Sequence, residues 1–206
     1  MVKKELKKEK TKPKRTDTRR TADKWKKKKW FTIFAPKLFD QKEIAETVAE
    51  KPETLKGRVI NYNARELTGN PKKNHITLFF KVFDVQGLKV YTKLIGHEIN
   101  PGFLKRLVRR RISKMETNQI VNLKGNQKAR VKTVVVSGKK LTRIKETAVR
   151  KIMLEKIEYS AKKRDFDDFV NEMVFGNISI KIQNEAKKVG LIKRVEVVKT
   201  KLIEGK

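Results

Sequence analysis

Residues 76–83, Ile76-Thr77-Leu78-Phe79-Phe80-Lys81-Val82-Phe83, read as a β-strand with one buried face. Ile76, Leu78, Phe80 and Val82 recur at every second position, the period of a pleated strand. Asp84-Val85-Gln86-Gly87 has the composition of a turn, and Leu88–Ile95 returns with Leu88, Val90 and Leu94 in step, which predicts a hairpin. Further on, Asn118–Lys124 and Ala129–Val136 flank Gly125-Asn126 as a second hairpin. Upstream, Leu55–Tyr62 reads as a strand, and Trp30–Phe39 as a short extended segment broken at Pro36. Several short strands joined by turns predict a barrel or a strongly curved sheet.

Helical signals surround these strands. Asp40 is an N-cap type with Glu43 three residues on, Phe39 and Ile44 fit a hydrophobic staple, and Pro52 is a stop, which predicts a helix between Asp40 and Pro52. Asn100 caps and Pro101 opens a helix with Phe103, Leu104, Leu107 and Val108 inside. From Thr142 to Tyr159 a long helix is expected to bury Ile144, Ala148, Ile152 and neighbouring apolar residues. Asp165 starts another, in which Phe166, Phe169, Val170, Met173 and Val174 follow the helical period and Gly176 is the C-terminal cap. Asn177 caps a third, with Ile178, Ile182, Ala186 and Val189 inside, and Leu191–Val198 is a closing strand. The fold class is therefore α+β. A β-barrel-like body spans 30–140, a helical α/β C-terminal part packed on it spans 141–206, and a disordered basic N-terminal tail spans 1–29.

Charge is the dominant compositional fact. The 206 residues carry a formal net charge of +31, from 54 Lys plus Arg against 23 Asp plus Glu. Such a chain repels itself unless a polyanion neutralises it, and nucleic acid is the first candidate. The first 29 residues hold 15 Lys/Arg and 4 acidic residues, so the remainder is basic in its own right. An anionic membrane surface is the second candidate, but nucleic acid is preferred and no membrane is expected as a partner; no apolar run reaches the roughly 20 residues that span a bilayer. No apolar signal sequence opens the chain, and an intracellular protein is expected. The absence of cysteine excludes disulfides, thiolate zinc sites and thiol catalysis.

Three stretches are candidates for RNA binding. Lys105, Arg106, Arg109 and Arg110, with Arg111 beside them, fall on the polar face of the helix predicted from Pro101, and no acidic residue lies between Pro101 and Met115. Guanidinium groups on one face fork to phosphate oxygens while the apolar face docks on the body. Lys26, Lys27, Lys28 and Lys29 lie between Trp25 and Trp30; Trp25 is a stacking candidate, whereas Trp30 opens a patterned strand and is expected in the core. Lys139, Lys140 and Arg143 complete the set. The reverse face of the first hairpin carries Phe79, Phe83 and Tyr91 with Lys81, Lys89 and Lys93, a composition that can bind single-stranded RNA. The glycine-aromatic signature of an RNA-recognition motif is missing, so these aromatics are expected to pack under a helix.

Enzyme signals are poor. The chain has none of the glycine-rich phosphate loops, nor a nucleophile elbow. Asp165, Asp167, Asp168 and Glu172 sit where carboxylates favour a helix N-terminus rather than a metal. His97-Glu98 has no nucleophile or second motif near it and reads as structural. No catalytic residue, metal or cofactor is expected.

Lys29-Trp30-Phe31 followed by Ala35-Pro36 and Phe39, then Leu55-Lys56-Gly57-Arg58-Val59, Asp84-Val85-Gln86-Gly87 and Gly96-His97-Glu98, in that order, resemble a family of small-subunit ribosomal proteins of archaea and eukaryotes, written S-three-a-e. The resemblance runs from about Trp25 to the C-terminus, and the end at Lys206 favours the archaeal type. It implies a cytoplasmic ribonucleoprotein component with no catalytic residues. It further implies a place on the small-subunit platform near the messenger exit. The partners would be small-subunit ribosomal RNA, neighbouring platform proteins and messenger RNA. Composition alone leaves an alternative, a free nucleic-acid chaperone or architectural nucleic-acid-binding protein.

Overall fold

The computed structural model describes residues 25–203. Lys29–Phe34 forms β1, with Phe31 and Ile33 buried. Its free edge is satisfied by Glu43–Ala49, which runs antiparallel to it as β2. A strand thus replaces the helix expected after Asp40. Asp40 and Gln41 take positive φ values of 56° and 49°, closing a 3-10 turn at Lys37–Phe39 and reversing the chain; aspartate tolerates that left-handed conformation better than most residues. Ile44, Ala45, Val48 and Ala49 fit helical spacing, yet a register shift opposite Ile33 and Phe34 lets a strand bury Ile44 and Ala49 as well.

Pro52–Leu55 is also a 3-10 turn, so the strand expected from Leu55 starts later, as β3 at Val59–Asn63. A short α1, Ala64–Thr68, leads to β4, Ile76–Gln86, and β5, Lys89–Ile99. This is the predicted hairpin. Ile76, Leu78, Phe80, Val82, Val90 and Leu94 are all buried, while Leu88 falls in the turn and is exposed. After α2, Pro101–Leu107, β6 (Lys114–Asn122) and β7 (Lys128–Ser137) form the second predicted hairpin around left-handed Gly125.

Three helices follow: α3 (Arg143–Lys162), α4 (Phe166–Phe175) and α5 (Asn177–Val189). The α4 stripe is buried as its period predicts, and Gly176 takes the left-handed conformation, serving as C-cap of α4 and N-cap of α5 in place of Asn177. The buried stripe of α3 is Val149, Met153, Ile157 and Ala161, set one residue round from the predicted one. Ile144 is 84% exposed, because five residues before Val149 it lies about 140° round the helix from the buried stripe. β8, Ile192–Ile203, closes the chain.

The sheet path runs β2-β1-β5-β8-β7-β6, with β4 on the other edge of β5 and β3 beyond it. One edge of β5 is divided: Val90 and its neighbours pair parallel with β1, and Gly96–Glu98 pair antiparallel with β8. No pairing joins β2, β3 and β6 to one another among the described residues, so the curved sheet stays open and no barrel closes. On one side, α3 and α5 cover β6 and β8 over a core that includes Met115, Val131, Val135, Val195 and Val197. On the other, α2 covers Val134, Val136 and Val198.

The division of β5 depends on Gly96. A Cβ there would lie 2.0 Å from the Thr200 carbonyl oxygen of β8. Next to it His97 is buried, its Nε2 3.0 Å from the Val197 carbonyl, and burial pushes its pKa down to about 4. Gly96→Ala is expected to force β5 and β8 apart and cost at least ~2 kcal/mol, read as a lower midpoint in urea. A histidine held neutral in the folded state takes up its proton only in the unfolded chain. Stability should therefore be complete above about pH 6.5 and fall as pH drops towards 4, by about 1.4 kcal/mol per unit of pKa depression. Melting of His97→Gln against pH should show a shallower decline over that window.

Candidate nucleic-acid interface

Helix α2 is seated by its sequence. The Asn100 side chain accepts from the Gly102 N–H at 2.8 Å, and Pro101 fills the first position. Leu104, Leu107, Val108 and Ile112 pack on Val134, Val136 and Val198. Phe103 lies between the His75 ring, stacked at 4.0 Å, and the Arg194 guanidinium, 5.0 Å from its centroid. The helix is shorter than its sequence suggested. Val108 is extended, with φ −89° and ψ 125°, and Arg111 has φ 62°. Lys105 and Arg106 are therefore helical, but Arg109, Arg110 and Arg111 form an exposed turn. Val108 and Ile112, on either side of the arginines, both dock on the cluster of Val134, Val136 and Val198.

The arginine turn is fastened by a buried serine pair. The Ser113 N–H donates to Ser137 Oγ at 2.8 Å, and the Ser137 N–H donates to the Ser113 carbonyl at 3.0 Å. Ser137 Oγ also donates to the Lys139 carbonyl at 2.6 Å, and the Leu141 N–H donates to Ser113 Oγ at 3.0 Å. These bonds set Arg109–Arg111 beside Lys139, Lys140 and Arg143, two clusters that lie far apart in sequence. Residues 101–115 and 137–145 together hold ten Lys/Arg and no carboxylate. The flanking acids are engaged locally, Glu116 with Lys114 and Lys132, and Glu146 with Arg150. The hydrogen bond from Lys114 holds the Glu116 carboxyl below the usual carboxylate range. The N-terminus of the twenty-residue α3 adds its positive end to the same place. This corner can bind phosphate groups: of its ten cations Lys114 is paired with Glu116, and Arg109–Arg111, Lys139, Lys140 and Arg143 have no carboxylate partner among the described residues.

Trp25 and Lys26–Lys29 lie at the opposite end of the sheet, because β1 joins β5 near Val90 whereas Ser137 pairs with Ile192 far past Ile99. The Lys28 N–H closes a turn onto the Trp25 carbonyl at 3.1 Å, and its ammonium sits 4.2 Å over the Trp25 ring. Trp25 and Trp30 are 63% and 62% exposed. Trp30 is thus not core: Phe31 and Ile33 take the inward face of β1, and alternation turns Trp30 outward. The remainder of the basic tail, residues 1–24, lies outside the described residues. The aromatics of the first hairpin do not pack under a helix either. Phe83 is 61% exposed, Tyr91 meets Phe34 at 6.3 Å, and Phe79 lines an open groove.

Other cations serve the fold. Arg164 and Lys181 each approach Glu172 at 2.8 Å, joined by Ser160 at 2.7 Å. Burial alone would raise the Glu172 pKa, but these partners outweigh it and hold it low. The acidic cluster of α4 is thereby engaged at Glu172, and among the described residues no three metal-ligating side chains converge.

Residues 16–206 match the Ribosomal S3Ae family. The chain belongs to that family. Similar proteins include the small ribosomal subunit protein eS1 of Halorubrum lacusprofundi, 38% identical over 175 residues, which are 85% of this chain and 81% of the relative. The protein of the same name from Saccharolobus islandicus strain L.S.2.15 is 35% identical over 182 residues, 88% of each chain. The residues that carried the family resemblance build the fold: Ala35, Phe39, Leu55 and His97 are buried, and Gly57 and Gly87 take positive φ. The arginine corner lies outside those motifs. Removing its fastening should loosen it. Ser137→Ala leaves a buried Ser113 N–H without its acceptor and is expected to cost about 1–3 kcal/mol. Amide exchange should quicken at residues 109–113 while α4 stays protected.

Proposed function

We propose that this chain is a structural constituent of the small ribosomal subunit that binds ribosomal RNA through the corner formed by Arg109–Arg111, Lys139, Lys140 and Arg143. The observation that carries this reading is that two fastened segments hold ten cations and no carboxylate of their own, and that of the ten Lys114 is taken by the neighbouring Glu116. Guanidinium groups held on a fixed turn approach two oxygens of one phosphate, and a preset spacing selects folded RNA by shape rather than by base sequence. Lys105 and Arg106 extend the surface along α2. Trp25 and Lys26–Lys29, at the far end, continue the basic arm of residues 1–29, which adds a second contact. The reading includes a cytoplasmic site on the platform near the messenger exit, next to other platform proteins and messenger RNA, and no catalysis. It treats 30–140 and 141–206 as parts of one packed body. The names of the relatives and the shared family support it, and no helix among the described residues is long and apolar enough to cross a membrane.

The test is sedimentation of tagged protein from cells through sucrose gradients at two salt concentrations. The wild-type chain should travel with small subunits at moderate salt and leave them at high salt. The triple variant Arg109→Glu, Arg110→Glu, Arg111→Glu should move to the light fractions at moderate salt while melting like wild type. Wild-type protein confined to light fractions at both salts would overturn the reading in favour of a free nucleic-acid chaperone.

A further inference from the structure

The sheet face turned away from the α3–α5 layer carries an open groove of about 600 Å³ lined by Val59, Lys81, Ile95, Arg130 and Lys201. It continues into a recess of about 240 Å³ lined by Phe79, Gly96 and Lys199. Strand register explains its content. Asn61 pairs with Phe79, Phe79 with Gly96, Gly96 with Lys201, and Lys201 with Arg130, so one row crosses β3, β4, β5, β8 and β7. Along that row an aromatic ring stands on one side of a bare glycine and two cations stand on the other. Glycine is required at position 96 by the approach of β8, and the same requirement leaves no side chain between Phe79 and Lys201. Among the described residues, two carboxylates on this side, Glu98 and Glu116, are already bound. Glu98 holds Lys199 at 2.8 Å, and Glu116 holds Lys114 and Lys132. Arg130 and Lys201 have no carboxylate partner among the described residues.

We propose that this groove binds an unpaired RNA nucleotide, its base stacked on Phe79 and its phosphates held by Arg130 and Lys201. The inference rests on the RNA-binding reading above and adds a second site with a different ligand preference. A duplex offers phosphates to an exposed turn but hides its base faces, so it suits the arginine corner and not a recessed aromatic floor. A splayed base has an open face, and stacking on an aromatic ring is tolerant of its identity. An acidic protein segment would satisfy the two cations but leave the Phe79, Val59 and Ile95 floor without a planar partner.

The experiment uses the full chain, a ten-nucleotide unpaired RNA and a blunt RNA duplex, with affinities measured over a range of salt. Phe79→Leu should weaken the single strand at least about five-fold and the duplex less than two-fold, and Phe79→Tyr should retain binding. Arg130→Gln with Lys201→Gln should lower the salt slope for the single strand by about 1.4, roughly 0.7 per lost phosphate contact. Ultraviolet cross-linking of the wild-type complex should attach a nucleotide to the peptide containing Phe79, which keeps the test decisive if Phe79→Leu fails to fold. Equal losses for both RNAs, or a cross-link that maps only outside the groove, would overturn this proposal and leave the arginine corner standing. A wild-type chain that binds neither RNA would overturn both. Displacement of the single strand by polyglutamate as readily as by unlabelled RNA would overturn it in favour of an acidic protein partner.

Discussion

Strand β5 has two edges and three neighbours, and the rest of the molecule follows from how that conflict is resolved. Its inner edge is given to β4 over nearly its whole length. Its other edge is shared, the first residues with β1 and the last with β8. Two strands can follow one another along a single edge only if each stops where the other begins, and β8 reaches its place by crossing unusually close at Gly96. The cost of the shared edge is an open sheet. The gain is that the C-terminal strand is locked between β5 and β7, so that the helices before it lie on the same core as the N-terminal strands.

Charge is distributed by the same architecture. Carboxylates are few, and many of those in the described body are used to hold one or two cations in place, as Glu172 holds Arg164 and Lys181. What remains is uncompensated positive charge on turns. A turn is a poor place for precise presentation unless it is tied down, because its backbone is free to move. The Ser113–Ser137 pair provides the tie. It is buried and bonds two backbone segments together, the one at Ser113 and the one from Ser137 to Leu141. A few neutral hydrogen bonds in the core therefore fix the geometry of an arginine turn that cannot be fixed by ion pairs without losing the charge it presents.

Strands with a strict alternation and helices with one dominant stripe were legible in the sequence. Ile76, Leu78, Phe80 and Val82 admit no other face, and neither do Phe166, Phe169, Val170, Met173 and Val174. The segments that misled were those whose pattern served two structures. Ile44, Ala45, Val48 and Ala49 satisfy a helix, and only the unpaired edge of β1 makes them a strand. In α3 two apolar stripes lie one residue apart, and contact with α5 and β6 selects between them. Of the candidate site, residue type was legible and geometry was not. The cations of Arg109–Arg111 and Lys139–Arg143 stood out by the absence of acids, but nothing local indicates that two serines bring them together. A tryptophan opening a strand has the composition of a core residue, and the face Trp30 takes depends on Phe31 and Ile33 already facing inward.

The separation of the basic elements constrains how RNA could be held. Trp25–Lys29 and the arginine corner stand at opposite ends of the sheet, and the Phe79 groove opens on the face between β3 and β7. A short oligonucleotide cannot touch all three, and an RNA that does must present phosphates and an unpaired segment at spacings set by a rigid body. Each contact taken singly is weak at physiological salt, since it exchanges a condensed counterion for a lysine or arginine. Specificity then comes from simultaneous fit, in which the first contact raises the effective concentration of the others. On the proposed reading, such a surface discriminates between RNAs by tertiary shape. That is the property required of a protein that recognises one folded RNA among many with the same local charge, and the proposed determinants accordingly lie on the scaffold's turns and open face rather than in a compact motif.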